Sequence, residues 1–471
     1  MSILSMSAWS YIDIRGVLLV LIIAALLLVM AAVIRWSNSG NNSDLFNFKR
    51  DVERAAREEQ KQAQMQEDKT FIGHSAMQKE IYVSNNAKHV FVCGTTGSGK
   101  TIALSNFIQS GVACGYPMLI IDGKGDIGTD SLLDIVRKLS GNRKVYVIDL
   151  NNPEKSDKYN PFQNTGADIV KDMLINMTNW TEQQYKSNTE RYIQRLSNML
   201  ALSSIPISLS SLTKYIPTDE FKKLSKDLDT AKKITKAEHT ENLALAKASG
   251  EIAEGAAARF ATIEDSRLGQ IFHESGIDIY TALKENAIIL FILNPLLYPE
   301  MSPLIGRLII IDSKKAISLF YQDKPKRIFY ILDEINVYVS KAMLDLVNKS
   351  RSANVTCILA TQSLSDLEDA SGEPFKEQII ENCNNYILLR QNSPSNAEYW
   401  ANVLGTKHAM SATYQIKGSN GSFDSTELGS LRRTREFIYH PDDIKQLQLG
   451  NAIYLSRDNG FHTKVKIHKP F

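Results

Sequence analysis

Seven short apolar runs recur along the chain, each ending in a polar turn: HVFVCG (89–94), MLIID (118–122), KVYVIDL (144–150), AIILFIL (287–293), RIFYILDE (327–334), VTCILATQ (355–362) and NYILLR (385–390). Most do not alternate between apolar and polar residues, which predicts strands buried on both faces. Helical patterns fill several gaps, among them TIALSNFIQSGVACG and SPLIGRLIIIDSKKAISLFY. Strands alternating with helices predict an open, mostly parallel α/β sheet. Residues 166–255 break this rhythm: they show no convincing strand, are rich in helix formers, Lys and Glu, and carry turn-marking Pro206 and Pro217. That stretch predicts an all-α insertion into an α/β domain built from residues 71–165 and 256–471. Further on, YQIKGSNGSFDSTELGS (414–430) is rich in Gly and Ser and is expected to form a mobile surface loop.

The N-terminus follows a different pattern. GVLLVLIIAALLLVMAAVI, Gly16 to Ile34, carries no charge and is bracketed by Arg15 and Arg35. A helix of this length reaches about 29 Å, the thickness of a bilayer's hydrocarbon core. Trp9, Tyr11 and Trp36 fall where interfacial aromatics lie. A signal peptide has a shorter apolar stretch, and a core helix rarely lacks a polar face for so long. Residues 1–48 are therefore expected to hold a single transmembrane helix over 16–34. Arg35, Lys49, Arg50 and Arg54 follow the span, whereas Arg15 alone precedes it, beside Asp13. The positive-inside rule then leaves the C-terminal bulk in the cytoplasm. Residues 49–70 are polar all round, with i,i+4 pairs such as Glu53–Arg57, and read as a helical stalk or a solvated linker.

Composition changes this picture little. With 54 Lys and Arg against 52 Asp and Glu, the net charge of +2 neither demands nor excludes nucleic acid. Lys232–Lys233–Lys236, Lys314–Lys315 and Arg432–Arg433–Arg435 are basic clusters that offer phosphate contacts or merely solvated faces. Cys93, Cys114, Cys357 and Cys383 show no CxxC pairing, and are expected to be reduced thiols rather than zinc ligands or disulfides.

Chemistry enters where the first apolar run breaks. Gly94-Thr95-Thr96-Gly97-Ser98-Gly99-Lys100-Thr101 fits G-x-x-x-x-G-K-[ST]. Its glycines let backbone N–H groups point inward around phosphates, Lys100 reaches the β- and γ-phosphates, and the Thr101 hydroxyl suits Mg²⁺. The helix that follows adds the positive end of its dipole. Such a turn binds ATP with Mg²⁺ and needs an acid on a neighbouring strand. IFYILDE supplies Asp333 for the metal and Glu334 to orient or activate the attacking water. Gln362, at the end of VTCILATQ, is placed to sense the γ-phosphate. Arg351, in the polar stretch between these strands, is a candidate to neutralise transition-state charge at a neighbouring subunit's site.

The order HVFVCGTTGSGKT, LIIDGKGD (119–126), VIDLNNP followed by YNPF (159–162), FYILDE and ILATQSLSDLE resembles the type IV coupling proteins, the TraD/TraG/TrwB-like, FtsK/HerA-related ATPases of conjugation and secretion. The resemblance spans residues 71–471. It implies a RecA-like P-loop domain with an inserted all-α domain, on a membrane anchor in the bacterial inner membrane. It further implies a homo-hexameric ring with ATP sites between subunits, Lys100, Asp333, Glu334 and Gln362 on matching motif positions, and Arg351 acting in trans. The implied partners are DNA, a relaxase or relaxosome-type DNA–protein substrate, and the subunits of a type IV secretion channel. Many family members carry two transmembrane helices, whereas one is expected here. Two other readings stay open at this point: an ATP-binding receptor for protein effectors, and an FtsK-type DNA translocase, whose C-terminal DNA-reading domain is not expected after the last strand, TKVKIH.

Overall fold

The computed structural model describes residues 68–86, 88–177, 183–419 and 422–471. The expected membrane span (16–34) and nearly all of the expected stalk (49–70) lie outside these residues. Among the described residues no helix is long and apolar enough to cross a membrane.

The described chain begins with an antiparallel pair, β1 (Lys69–Ser75) and β2 (Glu80–Ser84). It continues through β3 (His89–Cys93), α1 (Lys100–Ala113), β4 (Met118–Asp122), α2 (Leu132–Leu139) and β5 (Val145–Asp149). A block of helices follows: α3 (Ala167–Met177), α4 (Gln183–Leu202), α5 (Leu209–Tyr215), α6 (Thr218–Thr230), α7 (Lys236–Glu264) and the short α8 (Ile279–Lys284). The α/β alternation then resumes with β6 (Ile288–Ile292), α9 (Met301–Phe320), β7 (Ile328–Leu332), α10 (Lys341–Ser350) and β8 (Val355–Thr361). After α11 (Leu364–Ser371), α12 (Glu373–Glu381), β9 (Cys383–Leu388) and α13 (Pro394–Leu404) come a hairpin of β10 (Thr406–Ser419) and β11 (Ser422–Phe437), α14 (Pro441–Lys445), β12 (Asn451–Ser456) and β13 (Phe461–Ile467).

One sheet of eleven strands runs β2-β1-β13-β12-β9-β3-β8-β7-β4-β6-β5. From β9 to β5 every pair is parallel, and from β2 to β9 every pair is antiparallel. The seven parallel strands are the seven apolar runs. Each is apolar on both faces because helices cover both. Val90 and Val92 join Leu104 and Phe107 of α1 in one core. Phe91 points the other way into the larger core, its ring 5.8 Å from Trp400. The hairpin is a correction to the expectation for 414–430, since its pairing runs through these residues, with Tyr414 opposite Gly429 and Ile416 opposite Ser425. β10 and β11 pair only with each other, so no buried face imposes the apolar alternation that would have marked them.

The helical block interrupts the sheet between β5 and β6. Its longest member starts at a capping box in which the Thr235 side chain accepts from Glu238 N–H and Glu238 answers the Thr235 N–H. The YNPF turn fastens the block. Tyr159 is buried and its hydroxyl donates to Asp312 Oδ2 at 2.8 Å. The Asn160 amide donates to Ile207 O at 3.1 Å and Glu274 O at 3.2 Å. Beneath the turn, the Lys315 ammonium donates to Pro161 O at 2.8 Å and Gln163 O at 3.0 Å. It also lies 2.8 Å from Asp312 Oδ1 and 3.5 Å from Asp278 Oδ2. Lys315 is therefore a buried counter-ion, and Lys314 is paired with Asp345 at 2.8 Å, so this basic cluster is not a free phosphate site. Lys315→Ala strands two buried carboxylates without a cation. It is expected to cost about 3–5 kcal/mol in urea unfolding, and a midpoint equal to wild type would show the ammonium to be dispensable.

Candidate nucleotide-binding site

β3 delivers Gly94 to the C-terminal edge of the parallel strands, between β8 and β9, the edge at which α/β sheets bind ligands. The chain curls back there. Thr95 N–H donates to Arg390 O at 3.0 Å and Ser98 N–H to Thr95 O at 3.1 Å. Gly99 is the N-cap of α1 and has φ 110°, a conformation closed to residues with a Cβ. No side chain caps this helix, so its first N–H groups are left for an anion.

Two strands away, β7 ends and the chain passes through Asp333 and Glu334. Asp333 is buried, and its Oδ1 has no hydrogen-bond partner among the described residues. Burial, then the nearby charges of Glu334 and Asp122, push its carboxyl up to about 8 against the pull of Lys100. Glu334 has φ 48°, left-handed for a residue with a long side chain. This turn aims its carboxylate at the glycine loop, where Lys100 Nζ lies 3.0 Å from Glu334 Oε1, both side chains buried. From the tip of β8, the Gln362 amide donates to the same Oε1 at 2.9 Å. Gln362 Oε1 in turn accepts from the Thr96 hydroxyl at 2.8 Å. Lys100, Glu334, Gln362 and Thr96 thus form one continuous chain of polar contacts across three strands.

These residues line a cavity of about 260 Å³ together with Thr101 and Asp333. Thr95 Oγ1 and Asp333 Oδ1 are buried there without partners among the described residues. Orphaned buried polar atoms are costly unless a bound group satisfies them. Uncapped helix N–H groups and the Lys100 ammonium fit phosphate oxygens, while Thr101 and Asp333 offer the hard oxygen ligands that suit Mg²⁺. The site residues predicted from sequence, Arg351 apart, line or adjoin this one cavity.

Sequence reasoning gave DGKGD no chemical role, and the structure shows how it supports the site. The Asp122 carboxylate accepts from Lys124 N–H at 2.9 Å and Gly125 N–H at 3.1 Å, bending the loop behind the acids. A Cβ at Gly123 would meet Asp333 O at 2.8 Å and Glu334 Cβ at 2.9 Å, so only glycine lets this loop pack there. The bend brings Lys124 and Asp126 to the cavity rim, and Leu449 reaches it from beyond α14. No motif spacing pointed to Leu449, because it is distant in sequence from the other lining residues.

Arg351 lies elsewhere. It opens a 3₁₀ turn, Arg351–Ala353, just before β8, and is exposed. β8 runs parallel to β3, so its start lies at the opposite edge of the sheet from the glycine loop. Arg351 is close enough to buried His89, at the start of β3, to help burial lower that imidazole to about 4. It cannot reach the cavity of its own chain.

Comparison with known proteins agrees with this architecture. Residues 70–290 match the family described as the central domain of helicase HerA, and residues 327–449 match the TraM recognition site of TraD and TraG. An uncharacterised protein of Mycoplasma pneumoniae is 32% identical over 101 residues, 21% of this chain and 67% of that protein. The unbound bacterial conjugative coupling protein TrwBΔN70 shares the fold at 18% identity and TM-score 0.58, covering 85% of this chain and 89% of its own. Plasmid coupling protein TrwB in complex with ADP and Mg²⁺ aligns at 18% identity and TM-score 0.56, over 82% and 86% of the two chains. With its P-loop, strand-end acids and inserted helical block, the chain belongs to the TraG/TrwB/HerA-like P-loop ATPases of conjugation and type IV secretion.

Proposed function

We propose that this protein is the membrane-anchored coupling ATPase of a type IV secretion or conjugation system, a ring-shaped oligomer that recruits DNA–protein substrates and drives DNA transfer with Mg-ATP hydrolysis. The observation that carries the chemistry is the contact chain Lys100–Glu334–Gln362–Thr96 beside the unpartnered Oδ1 of Asp333. In this reading Lys100 and the loop N–H groups hold the phosphates, Thr101 and Asp333 take the metal, and Glu334 aligns the attacking water. Gln362 registers the γ-phosphate, and Arg351 serves the next subunit's site. Bound nucleotide supplies the phosphoanhydride and Mg²⁺ spreads its developing charge. The expected anchor over 16–34 would hold the ring at the inner membrane, against the secretion-channel subunits, with its bulk in the cytoplasm. The helical insertion (166–255) would receive the relaxase-bound substrate. The match to the TraM recognition site of TraD and TraG, and the shared fold with TrwB, a conjugative coupling protein, support this assignment.

Full-length protein is expected to hydrolyse Mg-ATP faster when DNA is added, whereas unstimulated hydrolysis would favour a receptor for protein effectors. Lys100→Ala should lose roughly 100-fold or more in turnover. Arg351→Ala and Glu334→Gln should each bind nucleotide but turn over little, and mixing them should restore part of the activity. No restoration would remove the arginine from the trans role.

Asp333 gives a pH test. Its folded value, about 8, lies above the ordinary carboxylate range near 4. The empty protein is therefore stabilised by the bound proton at low pH and loses that contribution as pH rises through about 8. Asp333→Asn should melt higher than wild type at neutral and mildly alkaline pH without Mg²⁺, with a flatter pH dependence, while abolishing hydrolysis. Parallel melting curves for the two proteins would show that Asp333 is ionised in the empty site.

A further inference from the structure

A second cleft, of about 750 Å³, opens between the first two insertion helices and the helices that follow β6, β7 and β8. Lys186 of α4, Arg307 of α9 and Lys341 of α10 line it, and among the described residues no carboxylate does. Among the described residues Arg307 forms no ion pair, and its Nε is buried without a hydrogen-bond partner. Lys341 is exposed and also forms none. Lys186 has only a long 3.9 Å contact with Glu190. Ser340 occupies the N-cap of the ten-residue α10 but does not cap it, and its Oγ is likewise buried without a partner. A serine in that position normally closes the helix terminus. Here the hydroxyl, the helix end and three cations all face a cleft in which no described carboxylate balances them.

Cations left without a carboxylate to balance them call for an external anion with many oxygens. A cleft this large exceeds the needs of one phosphate, and Pro374 and Phe375 give it an apolar flank. Its dimensions suit one strand of a polynucleotide and not a duplex. The cleft is also tied to the nucleotide cavity by both segments that carry hydrolytic residues. From Glu334 the chain passes through the 3₁₀ turn Ile335–Tyr338 directly to Ser340, with the Tyr338 hydroxyl donating back to Asp333 O at 2.9 Å. A Cβ on Gly306 of α9 would lie 2.6 Å from Tyr338 Cβ, so this turn is packed tightly against the helix that carries Arg307. From Gln362 the chain passes through α11 to Pro374.

The geometry points to this cleft as the binding site for the phosphodiester backbone of a single nucleic-acid strand, through Arg307, Lys341, Lys186 and Ser340. The inference rests on the motor reading above and locates where the polymer meets the nucleotide chemistry. Both segments that leave the cavity end on the polymer, so a shift of Glu334 or Gln362 on hydrolysis moves the strand's phosphate contacts.

The test uses full-length protein, a labelled single-stranded oligodeoxynucleotide and a salt titration. Arg307→Ala and Lys341→Ala are each expected to weaken binding roughly ten-fold at low salt. Each should flatten the log–log salt slope by about 0.7 for every phosphate no longer neutralised. Hydrolysis without DNA should stay at the wild-type rate while the DNA-stimulated part falls. Lys341 is exposed, so its variant carries the test even if Arg307→Ala perturbs folding. Wild-type protein that binds and responds to DNA, beside a Lys341→Ala variant with unchanged affinity and slope, would reject the cleft and leave the motor reading standing. Protein that binds no polynucleotide and hydrolyses ATP regardless of DNA would end both. AMP competing as tightly as the oligonucleotide would make this a mononucleotide site and overturn the inference.

Discussion

The site depends on how four buried ionisable groups in and beside one cavity are neutralised. Removing an ammonium or a carboxylate from water costs several kcal/mol unless a partner compensates. Lys100 and Glu334 compensate each other at 3.0 Å. Asp122 is held by two backbone N–H groups. Asp333 leaves its Oδ1 without a partner among the described residues, and burial beside Glu334 and Asp122 pushes its carboxyl up to about 8. The proton on Asp333 therefore lowers the negative charge that Lys100 alone would have to offset. In the proposed reading a triphosphate would compete with Glu334 for Lys100, and a divalent cation would compete with the proton on Asp333. The two replacements favour each other, because a freed Glu334 carboxylate and an ionised Asp333 would be untenable together without the metal. Metal and nucleotide are thus expected to enter as a unit, and Gln362, bonded to both Glu334 and Thr96, is placed to register the exchange.

The sequence made the centre of the sheet legible and its periphery obscure, for one reason. A strand with helices on both faces must be apolar throughout, so β3 to β9 stand out as uninterrupted runs. Their strand-end polar residues, Gly94, Asp333 and Gln362, were legible for the same reason, since each marks where an apolar run meets the ligand edge. The antiparallel strands β1 and β2 have mixed faces and left little signal. The hairpin β10–β11 pairs with no other strand and looked like a loop. Side chains brought to the cavity by long detours, such as Leu449, carry no local mark at all. Lys315 misled in the opposite direction: beside Lys314 it read as part of a basic patch, although burial makes it the counter-ion of Asp312 and Asp278. Charge in a sequence shows that a partner is needed, and not whether that partner is solvent, a ligand or the core.

The placement of Arg351 constrains assembly. β8 spans seven residues from the turn carrying Arg351 to Thr361, roughly 20 Å of extended chain. An arginine at the far edge can complete a phosphate site only if a second copy presents its strand-start edge to the first copy's strand-end edge. That contact joins two different surfaces, so it is head-to-tail, and a closed assembly built from such contacts is a ring. A two-fold dimer could make the same exchange only if both edges lay on one self-complementary patch. If Arg351 acts in catalysis, then, assembly follows from the direction of the parallel strands: the same topology that sets the glycine loop at one edge sends the arginine to the other, and hydrolysis becomes a property of the interface.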